Sequence, residues 1–259
     1  MTPIYFDHTA TESARRLAQQ FELPILTDLP DSGEYLFADA EGVSLCREGE
    51  KGRVRVDFGG GVAQYRRTKG GGELIAKAVN HMTKPTVWDC TGGLGRDSFV
   101  LASLGLNVHT FEQHPAVACL LADGLERALQ NPEIQDIARR ITFRHGDAVE
   151  LMRELAAQSR PDIVYLDPMY PERQKSAAVK KEMAYFHSVV GAAQEEAELL
   201  AAARAVAKKR VVVKRPRLGE FLNGEKPAYQ YTGKAPASTC TCPIIRLKTG
   251  NNSKRAKVV

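Results

Sequence analysis

Cysteine is scarce in this sequence, and its spacing excludes the usual cysteine-based sites. The chain has five cysteines among its 259 residues, and none of them forms a Cys-x-x-Cys pair. Because a structural zinc site needs about four ligands in clustered pairs, we expect no metal and thiols that stay reduced, as in the cytoplasm. Cys240 and Cys242 share one face of a predicted strand, which by itself does not make a metal site.

Long apolar runs are also missing. No segment approaches the ~20 residues needed to cross a bilayer, and Met1–Arg16 lacks the basic start and apolar stretch of a signal peptide. We therefore expect a protein that is neither secreted nor embedded in a membrane. The hydrophobic share of 43% nevertheless suffices for a buried core, which excludes disorder as the dominant state.

Acidic side chains are scarce in the last third of the chain. Residues 171–259 contain 18 basic and 7 acidic residues, whereas residues 1–170 contain 18 basic and 24 acidic ones. Such an excess suits a polyanionic partner such as nucleic acid. Solvated lysines and a basic tail would account for part of the same excess.

The order of the predicted elements divides the chain into three parts. Residues 1–65 combine a capped helix with short alternating strands and a hairpin turn at Asp39–Gly42, which predicts a small α+β subdomain. Residues 66–248 alternate strands and helices, as in right-handed βαβ units around a mostly parallel sheet with helices on both faces. Residues 249–259 are expected to form a basic, flexible tail. The predicted strands are Thr86–Asp89, Asn107–Glu112, Ile141–His145, Ile163–Leu166 and Arg210–Lys214, with Tyr229–Tyr231 and Cys240–Leu247 as an antiparallel C-terminal edge.

A glycine-rich turn follows the first strand of the alternating region. The string DCTGGLGRD begins at Asp89 and places Gly93 and Gly95 directly before a predicted helix. Glycine lets the backbone adopt positive φ and lets a ligand approach closely, so a nucleotide-like cofactor fits this turn. The turn also matches a variant of the G-x-G-x-x-G/A pattern, which leaves a nicotinamide cofactor open at this point.

Acidic residues end the next two strands. Glu112 ends the second strand, 17 residues after Gly95, where a carboxylate can accept hydrogen bonds from both ribose hydroxyls of an adenosine. Asp147 follows the third strand and could accept a hydrogen bond from an adenine amine. It could equally cap the helix that begins at Ala148, or do both.

The motif Asp167-Pro168-Met169-Tyr170, which follows the predicted strand Ile163–Leu166, favours a substrate with an exocyclic amine. Pro168 lacks an N–H and Asp167 adds carboxylate oxygens, so the turn presents acceptors, while Tyr170 supplies an aromatic face for a flat base. A nicotinamide enzyme would have no use for this arrangement.

Together these motifs resemble those of the S-adenosylmethionine-dependent amino-methyltransferases. The strings TGGLGRD, LDPMYP, QKSAAVKKEM and KRVVVKRP, with RRTKGGG before them, are similar to the bacterial small-subunit ribosomal RNA (guanine-N2) methyltransferase J family over about residues 54–217. The resemblance implies a Rossmann-like methyltransferase fold and S-adenosyl-L-methionine as cofactor. It also implies methylation of one guanine N2 in 16S rRNA, either as free RNA or in the small ribosomal subunit.

The resemblance further implies roles for individual residues. Asp167 would line the cofactor and substrate sites. From the residues themselves we hypothesise that Asp167 and a carbonyl near Pro168 accept hydrogen bonds from the guanine amine and that Tyr170 stacks on the base. Gln113 and Asp147 depart from the basic residue and the serine that are frequent in the family. The full cofactor set is Asp89, Gly93, Gly95, Arg96, Asp97, Glu112, Gln113, Asp147, Ala148 and Asp167.

Three basic clusters flank the expected active-site edge and are interpreted as RNA phosphate contacts. Two other functions stay open from the residues: an amino-methyltransferase acting on DNA or a protein amide, and a non-catalytic RNA-binding module. Cofactor binding would separate the second from the enzymes. The clusters are Arg66, Arg67 and Lys69; Lys175, Lys180 and Lys181; and Lys214 and Arg215.

Overall fold

The protein is described by a computed structural model that covers residues 1–60, 73–168, 196–216, 219–231 and 240–245. The first sheet consists of β1 (Ile4–Phe6), β2 (Ile25–Leu26), β3 (Glu34–Asp39), β4 (Gly42–Arg47) and β5 (Arg53–Arg55). The second consists of β6 (Val87–Asp89), β7 (Val108–Glu112), β8 (Ile141–His145), β9 (Ile163–Leu166), β10 (Arg210–Val213), β11 (Arg215–Pro216), β12 (Tyr229–Tyr231) and β13 (Cys240–Ile245). The helices are α1 (Glu12–Gln20), α2 (Glu73–Val79), α3 (Arg96–Ser103), α4 (Pro115–Gln130), α5 (Gln135–Ala138), α6 (Ala148–Ala156) and α7 (Glu196–Val206).

The first sheet has the order β2-β1-β3-β4-β5. The β3–β4 hairpin pairs Asp39 with Gly42, so the predicted turn at these residues is confirmed. Helix α1 begins at Glu12, later than the Thr9 start of the predicted capped helix Thr9–Phe21, because the Thr11 hydroxyl accepts a hydrogen bond from the Ala14 N–H at 3.1 Å. Strands β1 and β2 were not predicted, since three and two residues are too few to show an alternating pattern.

The second sheet is the predicted mostly parallel one. Strands β8, β7, β6, β9 and β10 run parallel in that order, and β13 pairs antiparallel with β10, β11 and β12. The chain moves outward from β6 to β8 and then returns to β9 on the other side of β6. Ligands of open α/β sheets bind at such a reversal, beyond the carboxyl ends of the strands.

The two faces of this sheet are covered by different helices. In β9 Val164 and Leu166 pack with α6 and α7, whereas Ile163 and Tyr165 lie in the cluster that includes α2 and α3. All four side chains are buried, which is why β9 reads as a continuous apolar run. The prediction of helices on both faces is therefore confirmed.

Helix α4 connects the two sheets. Its residues share one apolar cluster with the first sheet and with α3. Arg127 donates 2.6 Å to the Val56 carbonyl and 2.8 Å to the buried Asp123 carboxylate. Gly124 is required for this close approach, because a Cβ there would lie 2.2 Å from a Val56 methyl. The division at residues 65 and 248 stays a prediction.

The cysteines with described side chains are buried free thiols. They are Cys46, Cys90 and Cys119, and burial raises the pKa of Cys119 to about 12, which leaves its thiol protonated. Within the described ranges, no three His, Cys, Asp or Glu side chains lie close enough together to hold a metal. None of the helices in those ranges is long and apolar enough to span a bilayer.

Candidate cofactor and catalytic site

The glycine turn between β6 and α3 is packed on one side and open on the other. Gly93 and Gly95 have φ of 51° and 71°, the left-handed region that favours glycine. A Cβ on Gly95 would lie 2.5 Å from the Leu121 side chain and 3.1 Å from the Phe58 ring, whereas a Cβ on Gly93 would meet only the Thr91 carbonyl at 4.0 Å. The Gly93 side is therefore where a ligand can approach the backbone.

Glu112 at the end of β7 closes over this turn. Its two carboxylate oxygens each accept one backbone N–H at 2.8 Å, from Gly93 and from His114. Burial raises the pKa of Glu112, while the hydrogen bonds from His114, Gly93 and Gln113 oppose that shift. Because each carboxylate oxygen has two lone pairs, Glu112 can orient the turn and still accept hydrogen bonds from a ribose.

Asp89 lies beneath the turn and is almost completely buried. Its carboxylate accepts hydrogen bonds from the Ser98 hydroxyl at 2.5 Å and from the Thr91 N–H at 3.2 Å. The pKa of Asp89 is raised to about 7, mainly by burial; the Ser98 hydrogen bond lowers it, and the nearby Asp97 and Asp167 carboxylates add to the increase. Asp89 therefore ties β6 to the first turn of α3 from inside, with 1% of its surface exposed.

Replacing Asp89 with asparagine is expected to change stability in a pH-dependent way. Between its ordinary pKa of 3.8 and about 7, the folded protein keeps a proton on Asp89 that the unfolded chain has released. This contribution to stability is complete below the ordinary value and is lost as the pH rises through about 7. From pH 5 to pH 7 the variant should gain unfolding free energy relative to the wild type, by up to about 1.4 kcal/mol per pH unit. Urea titrations at several pH values measure this difference, and a constant difference would contradict the assignment.

Thr91 joins the glycine turn to the end of β9. Its hydroxyl accepts a hydrogen bond from the Asp167 N–H at 2.6 Å and donates to Asp89 at 3.4 Å. The backbone of Asp167 is thus held against the glycine turn. The Asp167 side chain is 36% exposed, so its carboxylate can reach a ligand at this edge.

Lys214, which follows β10, lies inside this site. Its ammonium is 2.6 Å from an oxygen of Asp97 and 2.6 Å from an oxygen of Asp167, and its side chain is only 12% exposed. Tyr165 donates 2.8 Å to the same Asp97 oxygen. The interpretation of Lys214 as an RNA phosphate contact is therefore wrong in this conformation, because its charge is directed to two carboxylates below the surface.

Arg215 is the second basic residue whose surroundings differ from the expectation. It is 3% exposed, and its guanidinium lies 2.6 Å from the Glu196 carboxylate at the start of α7. A guanidinium buried in this way does not face an RNA backbone, so this expected phosphate contact is corrected as well. The remaining basic residues of the three clusters (Arg66, Arg67, Lys69, Lys175, Lys180 and Lys181) lie outside the described residues, as does Tyr170.

Asp147 caps the N-terminus of α6, which is one of the two roles predicted for it, the other being a hydrogen bond to an adenine amine. One oxygen accepts the backbone N–H groups of Val149 and Glu150 at 2.9 and 3.0 Å, at the start of α6 next to Ala148. Gln113 is exposed beyond Glu112, and its carbonyl lies 3.1 Å from a ring nitrogen of His145. These residues, like Arg96 at the exposed first position of α3, lie at the carboxyl edge of the sheet.

The residues at this edge fit an adenosine-containing cofactor. The Gly93 backbone is open to a ligand, the Glu112 carboxylate lies against it, and Asp147 follows the next strand outward. Asp167 lies across the turn from Glu112, on the strand that follows the reversal of strand order. A cofactor bound at the glycine turn would therefore lie beside the Asp167 carboxylate, which can accept a hydrogen bond.

Three contributors to the site were missed from the sequence. Thr91 forms hydrogen bonds with both Asp89 and Asp167, Ser98 donates to Asp89, and Tyr165 donates to Asp97. Thr91 lies within the glycine motif and Ser98 directly follows it, so their hydroxyls were visible as a local signal. Tyr165 lies in an apolar strand and is buried, and its partner is 68 positions away, so no local pattern reveals its role.

The chain is similar to methyltransferases over most of its length. The family model "Putative SAM-dependent methyltransferase" matches residues 16–237. A ribosomal RNA small subunit methyltransferase J from Neisseria meningitidis is 67% identical over 236 residues, which are 91% of this chain and 94% of that protein. The protein of the same name from Chromobacterium violaceum is 45% identical over 241 residues, 90% of this chain and 93% of the relative. The crystal structure of a SAM-dependent methyltransferase from Neisseria gonorrhoeae matches with a TM-score of 0.81 at 58% identity, covering 96% of this chain and 98% of that one.

Proposed function

The chain belongs to the ribosomal RNA small subunit methyltransferase J family of S-adenosylmethionine-dependent enzymes, and from this premise we propose that it methylates the exocyclic N2 of a guanine in 16S rRNA. The names of the similar proteins support small-subunit rRNA as the substrate class. We further place the reaction in the cytoplasm, where this RNA is assembled into subunits.

The position of Asp167 carries the proposal. Its carboxylate is partly exposed at the carboxyl end of β9, on the edge where the Gly93 backbone is open. Its orientation is held from two sides, through its N–H by Thr91 and through its side chain by Lys214. A carboxylate fixed in this way is a hydrogen-bond acceptor for an amine that enters beside the cofactor.

The protein's own contribution to the reaction is orientation and charge. The bound cofactor supplies an electrophilic methyl group on its sulfonium. The N2 lone pair of guanine is delocalised into the ring, so acceptors on its two hydrogens are needed to turn it toward an electrophile. Asp167 is one such acceptor and also stabilises the positive charge that develops on nitrogen. Pro168 has no N–H, which leaves its surroundings with carbonyl acceptors.

The residues proposed to contact the guanine base and the RNA phosphates lie outside the described part of the chain, so their roles rest on the sequence. We propose that Tyr170 stacks on the extruded guanine, since aromatic stacking is the usual way to hold an unpaired base. The clusters Arg66, Arg67 and Lys69, and Lys175, Lys180 and Lys181, remain candidates for phosphate contacts. Their charge would supply the sequence-independent part of RNA affinity.

The test is transfer of a labelled methyl group to candidate acceptors. Small ribosomal subunits from a strain that lacks this enzyme, free 16S rRNA, naked DNA and a protein amide substrate are each incubated with protein and tritiated cofactor. We expect the RNA or the subunit to be labelled at one guanine N2 and subunits from the parent strain to take up little label. Label on DNA or on the amide instead would contradict the proposal and favour another amino-methyltransferase activity.

A further inference from the structure

The ammonium of Lys214 connects three separate elements of the site. Its nitrogen contacts Asp97 in the first turn of α3 and Asp167 after β9, while its own backbone follows β10. The Lys214 N–H also donates 2.8 Å to the Leu166 carbonyl, which fixes the two strand ends in register. The ammonium of Lys214 therefore lies between the start of α3 and the end of β9, where the proposed acceptor Asp167 follows.

We propose that Lys214 is a positioning residue for methyl transfer, which holds the Asp167 carboxylate ionised and directed toward the substrate amine. The inference rests on the proposed function in one respect only, that Asp167 accepts the hydrogen bond from the amine. Lys214 itself need not touch substrate or cofactor, because it acts through Asp167.

The charges around Lys214 explain why a cation is needed there. Asp89 from β6, Asp97 from α3 and Asp167 after β9 are three carboxyl groups in one region, and Tyr165 adds a hydroxyl directed at Asp97. Two of these carboxylates contact the same ammonium and are therefore close to each other. Without the cation, like charges in a poorly solvated site favour protonation of one carboxyl. A protonated Asp167 would offer fewer acceptor lone pairs to an amine.

The opposite ends of the same two strands provide an internal comparison. Lys209 and Asp162 lie before β10 and β9 and form an ion pair of the same residue types at 3.0 Å, with side chains 52% and 22% exposed. That pair lies at the amino edge, away from the glycine turn. Lys209→Met is therefore a matched control for Lys214→Met. It also removes one lysine ammonium that pairs with an aspartate, but at the opposite end of β9 and β10.

The experiment compares Lys214→Met, Lys214→Arg, Lys209→Met and the wild type. Single-turnover methyl transfer to rRNA or subunits is measured from pH 6 to pH 9.5, with cofactor affinity by calorimetry and KM for the RNA. At pH 7 we expect Lys214→Met to react at least about 100-fold more slowly, with cofactor affinity and KM within about threefold of wild type. Its rate should rise with pH more steeply than that of the wild type, because Asp167 regains its charge only at higher pH. Lys214→Arg should recover most of the rate, and Lys209→Met should behave as wild type.

Other outcomes would overturn the positioning role. A rate reduced by the same factor at every pH would mean that Lys214 only supports the local structure, and an unchanged rate would mean that it has no role. If Lys214→Met does not fold, carbon-13 NMR of the aspartate carboxyls decides the question on the wild-type protein. We expect Asp167 to stay ionised between pH 6 and pH 8, and proton uptake in that range would refute the proposal. This measurement needs no substrate, so its result is independent of whether 16S rRNA is the acceptor.

Discussion

Replacing Asp167 with alanine is expected to lower the rate of methyl transfer by roughly 10³-fold while the cofactor still binds. The backbone of Asp167 is held by Thr91, so alanine removes the carboxylate and its contact with Lys214 but keeps the backbone hydrogen bond at the strand end. Single-turnover rates and calorimetric cofactor affinity measure the two effects separately. We expect the affinity to remain within about tenfold of wild type, since Glu112 and the glycine backbone, the residues proposed to hold the adenosine, are unchanged.

Asp162→Ala is the matched control for this substitution. Asp162 lies directly before β9 and Asp167 directly after it. Each forms an ion pair with a lysine next to β10, Asp162 with Lys209 and Asp167 with Lys214. Loss of Asp162 should leave the rate within about twofold of wild type, because that end of the sheet has no glycine turn. Methylation that persists in Asp167→Ala would remove the acceptor role. An equal loss of cofactor affinity would assign Asp167 to the cofactor alone.

Gly95→Ala is expected to lower the free energy of unfolding by about 2–5 kcal/mol. The φ of 71° strains any residue with a Cβ, and that Cβ would lie 2.5 Å from Leu121 and 3.1 Å from the Phe58 ring. The Phe58 ring in turn stacks on Phe99 at 4.4 Å, so it has little room to move. Distortion at Gly95 would also displace the first turn of α3, and cofactor affinity should fall with stability.

Gly33→Ala separates packing from backbone strain. Gly33 has φ of 87°, but a Cβ there would meet nothing within 4 Å. It should therefore cost only about 1–2 kcal/mol, the penalty of the left-handed conformation itself. Urea unfolding of the two variants gives the comparison. Equal losses would show that the contacts of Gly95 with Leu121 and Phe58 do not resist a side chain.

Through Phe58, the N-terminal part of the chain packs against the glycine turn of the candidate site. Phe58 follows β5 and packs against Gly95 of the glycine turn and Phe99 of α3. The first sheet is also joined to α4 through Arg127 and the Val56 carbonyl. The N-terminal residues thus pack against the buried side of the glycine turn, which the sequence alone did not indicate.

Local patterns determined the order and type of most elements. Strands β8, β9 and β12 have the predicted bounds, and the polar residues at the ends of β6, β7 and β9 were identified as the candidate site. The strand bounds are predicted correctly because turn glycines and apolar runs are read within a few residues of each other, whereas the site assignment stays a prediction. The parallel arrangement of the second sheet then follows from the alternation of strands and helices.

Only the tertiary structure decided where the charges of Lys214 and Arg215 go. Both belong to a basic stretch that, as a sequence, predicts a surface for RNA, yet one contacts Asp97 and Asp167 and the other contacts Glu196. Asp97 precedes Lys214 by 117 positions, so the pair exists only because β9 and β10 lie beside the start of α3 in the folded sheet. A charge count records the sign of a side chain but not its burial. The energy of a buried charge depends on the partners that the fold brings within hydrogen-bonding distance.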